Sequence, residues 1–146
     1  MANHDDADAS DAGADALVAC LLDHKAGGYA PTHVVVPTCS CGTAQRRFTV
    51  LIDDEVGVAV RVCAACGDEH GMGDADDFFD EAEPGECECP CGGGVFDVAA
   101  ALAAYDDGVG LRWVSIGLRC VACDTVACYG DWKNEGVDVA DWIDNA

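Results

Sequence analysis

Valine occupies every second position from Val56 to Val62, with small or polar residues between the valines. A period of two along the chain predicts a β-strand that has one apolar face. The strand-like stretch 46–52 precedes it, and the acidic triplet 53–55 between the two is typical of a turn. We therefore predict a β-hairpin whose second strand runs directly into Cys63.

The second half of the chain contains another apolar stretch, 95–105, which is compatible with a strand or with a short alanine-rich helix. The pair Asp107-Gly108 follows it and precedes the apolar residues 111–118. Because an Asp-Gly pair between two apolar runs is a strong hairpin signal, we predict strands on both sides of it. A shorter strand is predicted at 33–36.

Helical patterns occur near both ends of the chain. Leucines repeat at helical spacing within 12–28, which ends in a Gly-Gly pair, so we predict a helix there. On that helix Cys20 is expected to be a small buried apolar residue. Residues 1–11 are acidic and alanine-rich, which predicts a disordered lead. The tryptophans and aliphatic residues of 131–146 predict a terminal turn or short helix packed on the second hairpin.

Eight of the eleven cysteines form a motif that occurs twice along the chain. Each copy has a Cys-x-Cys-Gly pair before a predicted hairpin and a Cys-x-x-Cys pair after it. Two tight pairs of thiols are typical ligands of a structural zinc ion, so we predict two Zn²⁺ ions, and the alternatives are iron, an iron–sulfur cluster or disulfides. The predicted ligands are Cys39, Cys41, Cys63 and Cys66 in the first copy and Cys89, Cys91, Cys120 and Cys123 in the second.

Two features depart from the usual zinc motif. The Cys-x-Cys spacing is shorter than the usual roughly two to four intervening residues, but residues i and i+2 of an extended chain lie on one face. Asp124 stands where the other three pairs are followed by glycine, and aspartate adopts positive φ more readily than most residues. Cys87 and Cys128 remain outside the motif, and each is either a replacement for Cys89 or Cys123 or a free thiol.

The repeated motif indicates an internal duplication. We predict two small units, 33–67 and 89–146, each too small to be stable without a metal ion. The acidic connector 68–88 joins them and holds ten acidic residues around Phe78 and Phe79. We favour a short helix that docks these phenylalanines on a hairpin, and the alternative is an exposed binding motif.

The segments 39–66 and 89–123 resemble the zinc-ribbon class, which implies no single function. The second unit is also similar to a group of small bacterial proteins with no known activity. The shared motifs are Cys89-Pro-Cys91-Gly92, Arg119-Cys-Val-Ala-Cys123 and Cys128-Tyr-Gly-Asp-Trp132-Lys. Patterns and resemblance together predict a fold that is mainly β with short helices, a small α+β fold. It would contain two tandem zinc-ribbon-like β-hairpin units, an N-terminal helix and a short C-terminal helix.

Acidic residues outnumber basic ones by 28 to 7, and the formal net charge is −21. Metal-bound cysteines are deprotonated, so two zinc ions on the predicted ligands make the charge about four units more negative. Such a charge repels nucleic acid and attracts basic surfaces, but it is equally compatible with a role in solubility alone, for example in a salt-rich cytoplasm. Arg61 and Arg119 lie beside the downstream cysteine pairs, and we expect them to offset part of the charge of the metal sites.

These observations favour a non-enzymatic module in which structural zinc supports an acidic surface that binds a basic partner protein, either as an inhibitor or immunity-type protein or as an adaptor. Closed four-cysteine sites leave no open coordination position, so we predict no enzyme activity. The four histidines form no recognisable triad or metal pair. They are His4, His24, His33 and His70. The alternatives are a zinc-ribbon protein associated with nucleic acid, transcription or translation, and a thiol redox protein.

Residues 1–15 have no basic start and no apolar core, so no secretion signal is predicted. No apolar run reaches the roughly 20 residues that span a bilayer, so we expect no membrane association. Cysteines used as metal ligands favour a reducing cytoplasm. The sequence makes no prediction of the oligomeric state.

Overall fold

The computed structural model describes residues 16–23, 29–39, 41, 47–134 and 136–146. The predicted lead 1–11 and both ends of the predicted helix 12–28 lie outside the described residues. Residues 16–23 are helical and form α1. The strands are β1 His33–Val35, β2 Arg47–Asp53, β3 Val58–Cys63, β4 Glu69–Gly71, β5 Gly85–Glu86, β6 Phe96–Ala104, β7 Leu111–Cys120 and β8 Val126–Lys133, and helix α2 is Val139–Asp144. The predicted fold class is confirmed.

The eight strands of the described residues form one antiparallel sheet. Six of them follow the order β4-β3-β2-β6-β7-β8, while β1 pairs with β6 and β5 pairs with β2. The sheet crosses from the first predicted unit to the second where β2 meets β6, with Arg47 opposite Asp97 and Phe48 opposite Phe96. The strands of both predicted units therefore share one sheet. The division of the chain into two units stays a prediction.

Both predicted hairpins form, and an aspartate organises the turn of each. The Asp53 carboxylate accepts hydrogen bonds from the amides of Glu55 and Val56 at 3.0 and 3.1 Å. The Asp107 carboxylate accepts them from the two amides that follow Gly108, at 2.8 and 3.1 Å. Backbone donors lower the pKa of both aspartates, and for Asp53 the largest contribution comes from the amide of Glu83, which donates to it at 2.9 Å. Each turn is therefore stabilised by a charged acceptor.

The two faces of the sheet bury different residues. The inner face packs aromatic and aliphatic side chains of both units into one core. That core includes Phe48, Val50, Phe96, Val98, Leu102, Leu111, Val114, Ile116, Leu118, Trp132 and Trp142. On the outer face, α1 places Leu17 and Leu21 over Ala99 and Ala101. A Cβ at Gly117 would lie 2.8 Å from a methyl group of Leu21, so glycine allows the helix to approach this closely.

The structure differs from the sequence patterns in the connector and in the C-terminal segment. The connector 68–88 contains β4, β5 and a short 3₁₀-helix, Ala75–Asp77. Phe78 packs beside this helix, in agreement with the favoured interpretation, while Phe79 is 40% exposed. The predicted terminal turn over 131–146 is a helix only from Val139, since residues 131–133 complete β8. β8 lacks a clear period of two, and its inner face includes Gly130, so its sequence carried no strand signal.

Among the described residues, no helix has the length and apolar character needed to cross a membrane.

Candidate metal centres

The eight motif cysteines converge into two groups of four. In each group the four Sγ atoms lie within 4.8 Å of one another. We name Cys39, Cys41, Cys63 and Cys66 the first centre, and Cys89, Cys91, Cys120 and Cys123 the second centre. The closest Sγ–Sγ distances are 3.6 and 3.7 Å in the first centre and 3.5 and 3.6 Å in the second. Each group can hold one metal ion.

The two Cys-x-x-Cys pairs adopt the same backbone turn. In the first centre the amide of Cys63 donates to the carbonyl of Asp68 at 3.0 Å, and the amide of Gly67 donates to the carbonyl of Cys63 at 2.8 Å. The second centre repeats both bonds, from Cys120 and from Asp124, at 2.9 and 2.8 Å. Asp124 has φ 64° where Gly67 has φ 76°. The aspartate therefore takes the left-handed conformation predicted for the glycine position.

The Cys-x-Cys pairs bend their two sulfurs toward one point. In the second centre the amide of Gly92 donates to the carbonyl of Cys89 at 2.8 Å, and Gly92 has φ 95°. In the first centre the amide of Cys41 lies 3.5 Å from Cys39 Sγ, to which it donates. A tight turn thus replaces the extended geometry that the short spacing would otherwise impose.

Each centre lies at the boundary between the apolar core and the protein surface. One cysteine of every pair is buried, and its partner is exposed. The buried ones are Cys39, Cys63, Cys89 and Cys120, and all four belong to the same apolar core. A metal ion held there would join the surface turns directly to the packed interior.

The two centres lie at opposite ends of one row of residues across the sheet. Cys63 is opposite Phe48, Phe48 is opposite Phe96, and Phe96 is opposite Cys120. Residues directly opposite each other in an antiparallel sheet point to the same face. With about 4.8 Å between neighbouring strands, the two cysteines are separated by about 14 Å along the sheet. Both phenylalanines are fully buried, so apolar rings fill the space between the centres.

Protons are distributed unequally within each centre. Burial raises the pKa of Cys63, but hydrogen bonds from the amides of Cys66 and Ala65 outweigh it and lower the pKa to about 6. A hydrogen bond from the Thr125 hydroxyl lowers the pKa of Cys123 to about 6. Hydrogen bonds with the thiols of the first centre raise the pKa of Cys41 well above its ordinary value. Each centre thus has a thiolate near neutral pH, and a metal ion would displace the remaining protons.

Cys91 is the corresponding protonated group of the second centre. The amide of Gly93 lowers the pKa of Cys91, but hydrogen bonds with the other three thiols outweigh it and raise the pKa to about 12. The exposed Cys-x-Cys sulfur therefore keeps its proton in both centres.

A buried cation lies beside the first centre. Arg61 is 9% exposed and its guanidinium lies over the ring of Phe48, 5.0 Å from the ring centroid. Burial lowers the pKa of Arg61, while the negative charges of Cys39 and Cys63 oppose that shift. Its Nη2 also donates to the carbonyl of Ala146 at 2.8 Å. Within the described residues, Arg61 therefore acts on the first centre through its charge and not through a hydrogen bond to a sulfur, and compensation of the metal-site charge stays a prediction.

The second centre has neutral neighbours instead. Cys123 Sγ lies 3.1 Å from the Thr125 hydroxyl. Burial raises the pKa of Tyr129, and the negative charge of Cys89 and a hydrogen bond to it raise it further. Arg119 binds the carboxylates of Asp97 and Asp124. The predicted role of Arg119 is thus indirect, because it holds the residue that ends the Cys120–Cys123 turn.

The other cysteines lie outside both groups of four. Cys20 is on α1 and Cys128 is on β8. Cys87 directly follows β5, and burial raises its pKa to about 11. His70 follows the first Cys-x-x-Cys pair closely, and its Nε2 contacts the carbonyl of Asn145 at 2.8 Å. Tyr129 belongs to the motif 128–133 by which the second unit resembles small bacterial proteins, but nothing in the sequence predicted that its hydroxyl lies near Cys89.

No protein-family model, no curated protein and no solved structure matches the chain.

Proposed function

We propose that each centre binds one Zn²⁺ ion, and that the two ions hold the folded protein together. The sulfur geometry carries this proposal. A zinc ion with four Zn–S bonds of about 2.3 Å in a tetrahedron requires sulfurs about 3.8 Å apart. The closest pairs of the two centres lie 3.5 to 3.7 Å apart. The residues therefore fit the ion without rearrangement of the turns.

A structural role follows from the ligand count. Four protein thiols fill a tetrahedral site and leave no position for water or substrate. When bound, the ion supplies cross-links between the turns, and structural zinc contributes about 10–16 kcal/mol of apparent binding free energy. The reducing compartment predicted from the sequence stays a prediction, and it is the condition under which ligand thiols remain reduced.

Metal analysis tests the zinc proposal. We expect protein purified without added metal to be colourless and to contain about two zinc ions per chain. Removal of the metal by a chelator should abolish the protease resistance of both hairpins. A protein without zinc, or one with the visible spectrum of an iron–sulfur cluster, would contradict the proposal.

We further propose that the acidic surface binds a basic partner protein, as an inhibitor or as an adaptor. Nine of the ten acidic residues of the connector 68–88 are exposed, and only Asp74 is buried. Phe79, 40% exposed, lies among them and offers an apolar contact. Opposite charges on two partners speed their association and make it sensitive to salt. The zinc centres would hold the sheet that presents this surface.

Nucleic-acid binding receives less support, because several of the few cations are engaged within the protein. Arg61 is buried, and Arg119 binds two carboxylates. Arg112 stacks on the rings of Tyr29 and Tyr105, with 4.3 and 4.7 Å to the ring centroids. Thiol redox chemistry also receives less support, since burial raises the pKa of Cys87 and Cys128 and so reduces their reactive thiolate fraction.

A charge-neutralised variant tests the partner proposal. The substitutions are Asp76→Asn, Asp77→Asn, Asp80→Asn, Glu81→Gln and Glu83→Gln. We expect the parent chain to retain a basic protein from its native extract at low salt, and the variant to lose it while keeping its zinc. Retention of nothing basic by the parent, or equal retention by the variant, would contradict this role.

A further inference from the structure

The strand that leads into each centre pairs with the other unit. β1 precedes Cys39 by four residues, yet it pairs with β6 of the second unit, with His33 opposite Leu102. Thr32 reinforces this pairing. Its amide donates to the carbonyl of Leu102 at 2.8 Å, and its hydroxyl accepts from the amide of Ala104 at 3.0 Å. The first centre is therefore anchored on a strand of the second hairpin.

The second centre is anchored in the reciprocal way. β5 precedes Cys89 by three residues, and it pairs with β2 of the first unit. Leu51 is opposite Glu86, and the amide of Cys87 donates to the carbonyl of Val50 at 2.8 Å. Each lead-in strand is only two or three residues long, so it depends on the strand beside it and on the turn that follows it.

The apolar core also connects the two centres. The row Cys63, Phe48, Phe96 and Cys120 belongs to a single apolar cluster that also contains Cys39 and Cys89. A metal ion at one centre orders its own Cys-x-Cys turn and thereby a strand that completes the other hairpin. The ordering cost paid at the first binding event is then absent from the second.

From this reciprocal pairing we propose that the two centres bind zinc cooperatively, each ion raising the affinity of the other centre. The proposal rests on the zinc sites proposed above. Coupling free energies between sites usually correspond to about 5- to 150-fold changes in affinity, and the effect must be equal in both directions. Both centres influence whether β1 and β5 are ordered. Each of these strands leads into one centre and pairs with the sheet of the other unit, on which its order depends.

The test measures the affinity of one centre when the other cannot bind. Cys66→Ser disables the first centre and Cys123→Ser disables the second, and both replaced thiols are exposed. Cobalt absorption and competition with a chelator give the affinity of the surviving centre, at about 0.15 M salt, where the Debye length of about 8 Å reduces repulsion between the exposed sides of the centres. Cys128→Ser, outside both centres, is the matched control.

We expect the affinity of the surviving centre to fall about 5- to 150-fold in each variant and to stay unchanged in the control. An affinity within about twofold of the parent value in both variants would overturn the proposal. Binding of two independent ions would refute only the cooperativity, whereas binding of none would refute the zinc sites themselves.

The unmodified chain provides a second measurement that holds even when a variant does not fold. Native mass spectrometry at half saturation counts molecules with no, one and two zinc ions. Independent equal centres give about half of the molecules with one ion, and positive coupling reduces that fraction. Unequal but independent centres give a one-zinc fraction above half, so a fraction below half supports the proposal by itself. A fraction at or above the value calculated for independent centres from the affinities of Cys66→Ser and Cys123→Ser overturns it.

The route through β1 is tested separately. Thr32→Val removes the hydroxyl that bridges β1 and β6, and it should reduce the coupling factor while both centres still bind zinc. Thr49→Val, on β2, is the matched control. A coupling factor unchanged by Thr32→Val would overturn the assignment of β1 as a route.

Discussion

The two metal centres have the same turns but different electrostatic surroundings. Both have one buried and one exposed cysteine in each pair, and both close the Cys-x-x-Cys turn with the same two backbone bonds. Arg61, two residues before Cys63, brings a buried cation to the first centre. The corresponding residue before Cys120 is Leu118. The two centres therefore share a backbone turn but not a buried cation.

This difference distinguishes two properties of a metal site, the convergence of its sulfurs and the strength with which it holds the ion. Turn geometry decides whether four sulfurs converge, and it is equally good in both centres. Nearby charge and hydrogen-bond donors decide how strongly the metal competes with protons and electrophiles for the thiolates. A four-thiolate zinc site would carry about two negative charges, and the nearby positive charge of Arg61 would offset part of them in the first centre. We therefore expect the second centre to release its ion more readily.

The largest effect should follow from loss of a buried ligand. Cys63→Ser and Cys120→Ser should each lose zinc from the affected centre, and with it a large share of the about 10–16 kcal/mol that a structural ion contributes. Zinc content and protease resistance should fall together. The prediction is wrong if either variant loses its ion and keeps the thermal stability of the control, Cys128→Ser.

Removal of the buried cation should weaken only the first centre. Arg61→Met keeps much of the side-chain volume but deletes the positive charge that acts on Cys39 and Cys63, so zinc affinity there should fall by about 1–2 kcal/mol, the scale of a through-space charge interaction near a protein surface. Chelator competition on a chain that also carries Cys123→Ser measures the first centre alone. Arg119→Met is the control, since Arg119 binds carboxylates. An unchanged affinity in Arg61→Met would show that the two centres do not differ through this residue.

As the pH is lowered, the second centre should release its ion before the first centre does. The low pKa values of Cys63 and Cys123, about 6, mean that these thiolates persist down to that pH and are protonated below it. Affinity in both centres therefore falls as the pH is lowered, most steeply below about 6. Arg61 favours thiolate in the first centre, so its release midpoint should lie about one pH unit lower. Cobalt absorption of Cys66→Ser and Cys123→Ser follows each centre, and equal midpoints would contradict the prediction.

Removal of one hydroxyl should produce a smaller change in the second centre. Tyr129→Phe removes a donor near Cys89 and should lower zinc affinity there by about 1 kcal/mol, while the first centre is unaffected. Tyr105→Phe, whose ring stacks with Arg112, is the control. A similar loss in both variants would show that the effect is not specific to the hydroxyl near Cys89.

The smallest effect should come from the one turn that lacks glycine. Asp124→Gly relieves a left-handed φ, which costs other residues about 1–2 kcal/mol and aspartate less. It also removes an exposed ion pair with Arg119, worth about 0–1 kcal/mol. We expect a net stabilisation of about 1 kcal/mol or less, measured as the midpoint of thermal unfolding with zinc bound. A clear destabilisation would show that the contact of Arg119 with Asp124 matters more than the backbone conformation.

The sequence alone determined the features that depend on local spacing. The period of two at 56–62 and the Asp107-Gly108 pair identified both hairpins, and the repeated motif selected the same eight cysteines that converge in the structure. The expected conformation of Asp124 also followed from its place in the repeat. Each of these features is set within a few residues of chain, so a local pattern is sufficient to reveal it.

The tertiary structure decided what depends on partners distant in the chain. The pairing of β1 with β6 and of β5 with β2 joins the two units, yet these lead-in strands are too short to show a period. Arg61 and Arg119 occupy similar places in the sequence, but only Arg61 is aligned with its cysteines on the inner face of the sheet. Side chains alternate between the two faces, so a difference of one residue before the cysteine pair places one arginine in the core and the other among surface carboxylates.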